Sequence, residues 1–223
     1  MTTLAIDAVD EELAVALCGD GEVIARDVWT TAQNHSVELL PRIDGLLRQQ
    51  GVDKGDLRAV FVDIGPGGYA ALRVGVSIAK TIAHALAIPL LGVGRLELDA
   101  WRASGAGDAR RIVAVHRAGR GDLAWAAYRR DGDEWCEEQA PRMTQADALL
   151  TALDAGVAVT GDIDDALAER FASTVAIVAP RIARIDALVA LGQWRFDAGR
   201  ADDPRTLVPL YLRAPAIGPQ TPL

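Results

Sequence analysis

One order of apolar runs occurs twice in this chain, and that repetition constrains the fold more than any single motif does. Leu4-Ala5-Ile6 is a short buried-strand pattern, Leu13 to Leu17 alternates, Asp20-Gly21 turns the chain, and Val23 to Trp29 alternates again. A strand followed by a strand–Asp-Gly–strand run predicts a hairpin beside a lone strand. Helical spacing follows over His35 to Gln50, with Leu39, Leu40, Ile43, Leu46 and Leu47 on one stripe; Pro41 fits if the first turn begins close before it. Ala59 to Ile64 is a continuous apolar strand, Ala70 to Leu86 a long helix closed by Ile88-Pro89, and Leu90 to Val93 another strand.

The second half restates the order. Ile112 to Val115 is a lone strand, and Leu123 to Arg129 turns at Asp131-Gly132 into Glu134-Trp135-Cys136. Helices are predicted at Thr144 to Leu153, where Thr144-x-x-Asp147 matches a capping box, at Asp164 to Phe171, and from Ile182 to about Phe196. Strands Val157 to Thr160 and Val175 to Val178 alternate with them. Strand, hairpin, then alternating helices and strands, repeated once, implies mixed sheets flanked by helices: a two-lobed α/β protein. The expected lobes are residues 1–103 and 108–200, joined through Ser104-Gly105-Ala106-Gly107. Residues 201–223 hold five of the ten prolines, so they form a tail that wraps or dangles and is not a helix.

Half of the 223 residues are hydrophobic and only two are cysteines, which excludes a disordered chain and a disulfide scaffold. With 23 basic and 31 acidic side chains the net charge is −8, so the chain does not grip nucleic-acid phosphates unaided. Residues 1–100 carry 8 basic and 14 acidic groups, or −6, and are the acidic half. The N-terminus lacks a basic signal-peptide start, and the most apolar stretch, Ile82 to Gly94, is broken by His84 and Pro89. A cytoplasmic protein with reduced thiols and no membrane contact is expected.

Gly65-Pro66-Gly67-Gly68 lies between a buried strand and a long helix. There backbone amides could hold a phosphate or carboxylate, or the glycines could serve a tight turn that needs positive φ. The run is neither a dinucleotide fingerprint nor a P-loop. On the following helix Leu72, Val76, Ala79, Ala83 and Leu86 form an apolar stripe, and Arg73, Ser77, Lys80 and His84 a polar one. The polar stripe is either a solvated face or a contact surface. His35, His84 and His116 are far apart and lack ligand spacing, so no metal site is predicted. Gly75-Val76-Ser77-Ile78-Ala79 only half matches a nucleophile elbow, and Cys18 and Cys136 lie in strand-like runs where packing is their expected role.

Asp7 closes the first strand, where a carboxylate could meet hydrated magnesium or a nucleotide phosphate. Phosphotransferases of the actin and Hsp70 kind have glycine two residues on; this chain reads Asp7-Ala8-Val9-Asp10, and His116-Arg117-Ala118-Gly119 stands at the matching strand. With both phosphate clamps missing, ATP hydrolysis by this chain alone is disfavoured.

The run from Ile64 to Lys80, then Ile88-Pro89-Leu90-Leu91-Gly92-Val93-Gly94-Arg95-Leu96-Glu97, resembles the TsaB (YeaZ) family. That family's usual run is Gly-Pro-Gly-Ser-Phe-Thr-Gly-Leu-Arg-Ile-Gly, then Ala-Lys-Gly and Ile-Pro-Leu-Val-Gly-Val-Ser-Ser-Leu-Glu. His35-Ser36 with Leu39-Leu40-Pro41, and Pro209-Leu210-Tyr211-Leu212-Arg213, match further family blocks. The resemblance implies an actin-like (ASKHA, duplicated ribonuclease H-like) fold. It also implies a pseudoenzyme that supports threonylcarbamoyladenosine formation beside the tRNA anticodon by pairing with the catalytic TsaD-type subunit. A TsaE-type ATPase as further partner, a homodimer when alone, and tRNA contact only through the complex are implied as well. No tightly bound cofactor is expected on this chain; ATP and metal are implied for the partner. TsaD carries Asn-His-x-x-x-His where Gly94-Arg95-Leu96-Glu97-Leu98-Asp99 stands here, and arginine cannot ligate the metal. Partner-facing residues implied are His35, Leu39, Ile43, Arg73, Val76, Ser77, Lys80, Ala83 and His84. Asp7, Gly65 and Gly67 are the candidates for touching a cofactor. Gly68-Tyr69-Ala70-Ala71 in place of Ser-Phe-Thr-Gly, Asp7-Ala8-Val9 in place of Asp-Thr-Ser, and His116 to Gly121 in place of Asp-Ala-Arg remove ligand-binding groups. The alternative from another class is an independent actin-like, nucleotide-dependent small-molecule kinase.

Overall fold

A computed structural model describes residues 1–31, 35–104, 109–132, 134–154 and 156–213. Two five-stranded sheets share one topology. In the first, β1 (Thr2–Asp7), β2 (Glu12–Gly19), β3 (Glu22–Thr30), β4 (Leu57–Asp63) and β5 (Leu90–Val93) lie in the order β3-β2-β1-β4-β5. In the second, β6 (Arg111–Arg117), β7 (Asp122–Asp131), β8 (Glu134–Gln145), β9 (Val157–Gly161) and β10 (Ala176–Ile177) lie in the order β10-β9-β6-β7-β8. In each, two antiparallel pairings carry the hairpin and two parallel ones follow, so the repeat expected from the sequence is present as repeated topology.

The helices are α1 (His35–Gln49), α2 (Tyr69–Leu86), α3 (Arg95–Ala103), α4 (Ala146–Ala152), α5 (Asp165–Ala172) and α6 (Arg184–Asp197). Alternation along β1 decides where they pack. Leu4 and Ile6 face one way into a core with Leu39 and Ile43 of α1 and Val76 and Ala83 of α2. Ala5 faces the other way, with Ala16, Phe61 and Leu91, and meets Ile185 and Leu188 of α6. The second sheet receives α4 and α5 on one face and, on the other, Leu96, Ala100 and Ala103 of α3.

The equivalent helices α3 and α6 are therefore exchanged: each follows the strands of one sheet in sequence and packs on the other. A boundary at residues 103–108 divides the chain but not the packing, because α3 belongs by contact to the second sheet and α6 to the first. The small residues explain the fit of α6. A Cβ at Gly192 would stand 2.4 Å from Phe61 Cγ, so only glycine lets the helix backbone lie that close to β4.

Other elements differ from expectation in particular places. α1 begins at His35, so Pro41 lies inside it and leaves the Val37 carbonyl without a helical donor. Thr144 belongs to β8, where its Oγ1 accepts from Trp125 Nε1 at 2.9 Å, and the capping box expected there is absent; α4 starts at Ala146. The proposed linker Gly105 to Gly107 falls outside the described residues, as do residues 214–223 of the tail.

The described part of the tail wraps. Asp202 bridges Leu90, the Leu207 carbonyl accepts from Lys80 Nζ at 2.8 Å, and Leu210 N donates to the Ile64 carbonyl at 2.7 Å. Tyr211 then stacks on Tyr69 with ring centroids 4.8 Å apart, and Arg213 reaches the Ala118 carbonyl and Asp122 of the other lobe. Among the described residues no helix is long and apolar enough to cross a membrane.

Candidate functional site: a cleft closed by arginines

The parallel strands β1 and β4 both end in a buried aspartate, Asp7 and Asp63, behind the Arg184 wall of a cleft of about 530 Å³ between the lobes. Its walls include Asp10 and Glu11 from the β1–β2 turn, Arg95, Asp99 and Arg102 from α3, and Arg184 from the start of α6. The packing of α6 on the first sheet is what brings Arg184 to the strand-end carboxylates.

Arg184 sits among the acids. Its Nε and Nη2 donate to the two Asp7 oxygens at 2.8 and 3.3 Å, Nη1 lies 3.4 Å from Asp10 Oδ2, and Nε lies 3.6 Å from Asp63 Oδ2. Arg95 Nη1 donates to Asp10 at 2.7 Å, its Nε lies 3.5 Å from Asp99 Oδ2, and Arg102 Nη1 donates to Asp99 Oδ1 at 2.9 Å. Charges this deep need partners. Burial works against the Arg184 charge, but Asp7 and then Asp63 outweigh it and hold the guanidinium protonated. At Asp10 burial is likewise outweighed, by Arg95 and then Arg184, and the carboxyl is held below its usual range.

Asp63 behaves differently. Fully buried and next to Asp7, it is pushed well above the ordinary carboxylate range, burial being the larger cause. Oδ1 accepts from Gly65 N at 2.8 Å, while Oδ2 has no hydrogen-bond partner.

Asp7, one of the candidates for meeting a nucleotide, thus has both oxygens engaged by Arg184. Gly65 and Gly67 are placed by the turn. Gly65 has φ +94°, a Cβ at Gly67 would stand 2.3 Å from the Val9 carbonyl, and Gly68 N donates to that carbonyl at 2.7 Å. Of the two readings of this loop, the geometry fits the turn: one of its amides is spent on Val9 and its missing side chains admit Val9. A guanidinium between the strand-end carboxylates occupies the place a hydrated cation would need, so this cleft does not fit a magnesium nucleotide. Among the described residues no group of three or more His, Cys, Asp or Glu could hold a metal ion.

The partner-facing residues implied by the resemblance divide in two. Leu39, Ile43, Val76 and Ala83 are 4% exposed or less and belong to the core of the first lobe. Leu39, Val76 and Ala83 are closed off by that packing, and a glutamate at Val76 or Ala83 would read out folding; Ile43 lines an apolar hollow beside Leu40. His35 is also buried, with Nε2 3.4 Å from the Asp10 carbonyl, so it lies near the cleft and not on the outer face. Arg73, Ser77 and His84 are exposed on α2; Lys80 is half-buried under the tail. Sequence reasoning missed Val37, 71% exposed on α1, and put Leu40, which is 50% exposed, on the same stripe as the buried Leu39 and Ile43. Leu40 edges that apolar hollow, of about 220 Å³ and shared with Leu47, Ile82, Ala85 and Leu86. Arg184 was also missed, because nothing local joins it to residues near position 7; the one available signal was Asp63, an acid closing an otherwise apolar strand.

Paired sheets of repeated topology, exchanged helices and a cleft between lobes define a two-lobed protein of the actin-like class. YeaZ from Pseudomonas aeruginosa superposes with a TM-score of 0.75 at 23% identity, over 95% of this chain and 99% of that one. Residues 29–156 match the family model described as TsaD: tRNA N6-adenosine threonylcarbamoyltransferase. A protein of Escherichia coli K12 described as tRNA threonylcarbamoyladenosine biosynthesis protein TsaB is 34% identical over 134 residues, 59% of this chain and 56% of that protein. The match therefore spans little more than half the length of that relative. An uncharacterized protein of Mycobacterium tuberculosis H37Rv is 32% identical over 98% of this chain and 94% of its own length. The chain belongs to the family of that TsaD model, and over part of its length it is similar to proteins described as TsaB.

Proposed function

We propose that this chain is a non-catalytic subunit in threonylcarbamoyladenosine formation on tRNA, acting by pairing with a TsaD-type catalytic subunit through the outer face of α1 and α2. The observation that carries the non-catalytic reading is Arg184, whose guanidinium pairs with Asp7 and stands 3.6 Å from Asp63, filling the strand ends where a hydrated metal would sit. A small-molecule kinase would need that space, and no observation favours it. Nucleotide and metal belong to the partner in this reading, and tRNA is met only through the complex. Exposed Val37 and Leu40 beside the apolar hollow supply the kind of surface that a partner helix would cover, and they support self-association when the partner is absent. The −6 carried by residues 1–100 keeps the phosphate-binding task off this lobe.

The test is co-purification with the organism's TsaD homologue, followed by a tRNA modification assay with and without this chain. Leu40→Glu should abolish pairing and modification together while circular dichroism is unchanged, because Leu40 is half exposed. Modification that proceeds equally well without the chain overturns the accessory role; intact pairing of the variant overturns the interface.

A further inference from the structure

Three of the five tryptophans gather at a place the proposed function does not use. Trp101 of α3, Trp194 of α6 and Trp135 of β8, with Tyr128 of β7, Leu191 and Glu97, line a hollow of about 200 Å³ where the exchanged helices cross beside the second sheet. Four large rings drawn from four elements would ordinarily stack on one another. Among the described residues these do not: the ring pair that forms is Tyr69 with Tyr211. They surround the space without filling it.

Among the described residues Glu97 is the one charged residue that lines it, and Arg195 pairs with that carboxylate, so the wall carries no free cation. Ring faces are electronegative as well, and Trp194 already holds one cation, the Arg200 guanidinium, 4.8 Å from its ring centroid. An anion is therefore disfavoured. A primary ammonium is disfavoured too, because both Glu97 oxygens accept from Arg195 Nη2, at 2.6 and 2.7 Å, and the hollow offers little to replace the water that an N–H group would lose. A quaternary ammonium has no N–H to satisfy, and its cost of entry is correspondingly small. The volume lies below the roughly 300–1,000 Å³ of sites for drug-sized ligands, which suits a headgroup and not a nucleotide.

We propose that this hollow between α3 and α6 binds a methylated ammonium group, carried either by a free choline-like molecule or by a methylated lysine side chain. The test is titration of the full chain, at constant ionic strength, with tetramethylammonium, choline and N-acetyl-trimethyllysine, followed by tryptophan fluorescence and calorimetry. The neutral compound in which carbon replaces the choline nitrogen is the control. Saturable binding is expected, with choline or trimethyllysine about tenfold tighter than the neutral compound; which of the two binds better identifies the source. Trp194 is 42% exposed, so Trp194→Ala should keep its melting temperature and weaken binding by about tenfold. Trp135→Phe, which retains a ring, should weaken it less. Equal binding of the neutral compound, no saturable signal from any of the three ammonium probes, or unchanged binding by Trp194→Ala overturns the proposal.

Discussion

Arg184 reaches 177 positions back along the chain to Asp7, and that one contact sets the character of the cleft. Beside it the Asp63 carboxyl is pushed upward, first by burial and then by the Asp7 charge. The unfolded chain releases the proton of that carboxyl near the ordinary value of 3.8, while the folded chain keeps it to a higher pH. Stability attributable to Asp63 is therefore full below 3.8, falls as pH rises through the window up to the folded value, and is level above it. Asn cannot ionise and retains an oxygen for Gly65 N. Melting curves of native chain and Asp63→Asn across pH should diverge in favour of the variant through that window, by about 1.4 kcal/mol per pH unit within it. Asp10 loses its contribution on acidification in both proteins and cancels from the difference. Parallel curves would show that Asp63 is ionised in the fold.

At the scale of elements, what was legible followed short-range rules. Asp20 and Gly21 have φ of +52° and +84°, the left-handed pair that a two-residue hairpin turn demands, and the turn dipeptide announced it. The apolar stripe of α2 was readable by period, but period does not say what the stripe meets: Val76 and Ala83 turn to their own sheet. α3 was not foreseen as a helix, because Arg95 and Asp99 on its buried face interrupt the apolar period; Arg95 is explained by Asp10 of the β1–β2 turn, and Asp99 by Arg95 and Arg102 of the helix itself. The cleft was half legible for the same reason; Asp7 stood out as the acid closing β1, whereas its neutralising arginine lies on an element from the other half of the chain. The seat of α6 is a matter of one missing Cβ. Gly192→Ala should lower stability by about 1–3 kcal/mol in denaturant titration and speed hydrogen exchange along α6, since Phe61 is fully buried and has little room to retreat. An unchanged midpoint would mean that the helix can shift at no cost.

For the whole molecule, the exchange of α3 and α6 makes each lobe incomplete by itself. Fragments 1–104 and 109–223 expressed separately should each be insoluble, as each exposes a sheet face that the other's helix covers. Expressed together they should assemble into one soluble particle, detected by gel filtration and a single cooperative melt; a soluble, folded 1–104 fragment would contradict the exchange. The same feature orders events at the ribosome. β5 ends at Val93, yet the helix that covers Ala5, Ala16 and Phe61 ends at Asp197, about a hundred residues later. At the usual pace of synthesis that apolar face waits about 5–20 s for its cover. Nascent chains of this protein are therefore expected to be clients of chaperones that shelter sheets during translation, released only when the last helix and the strap behind it have emerged.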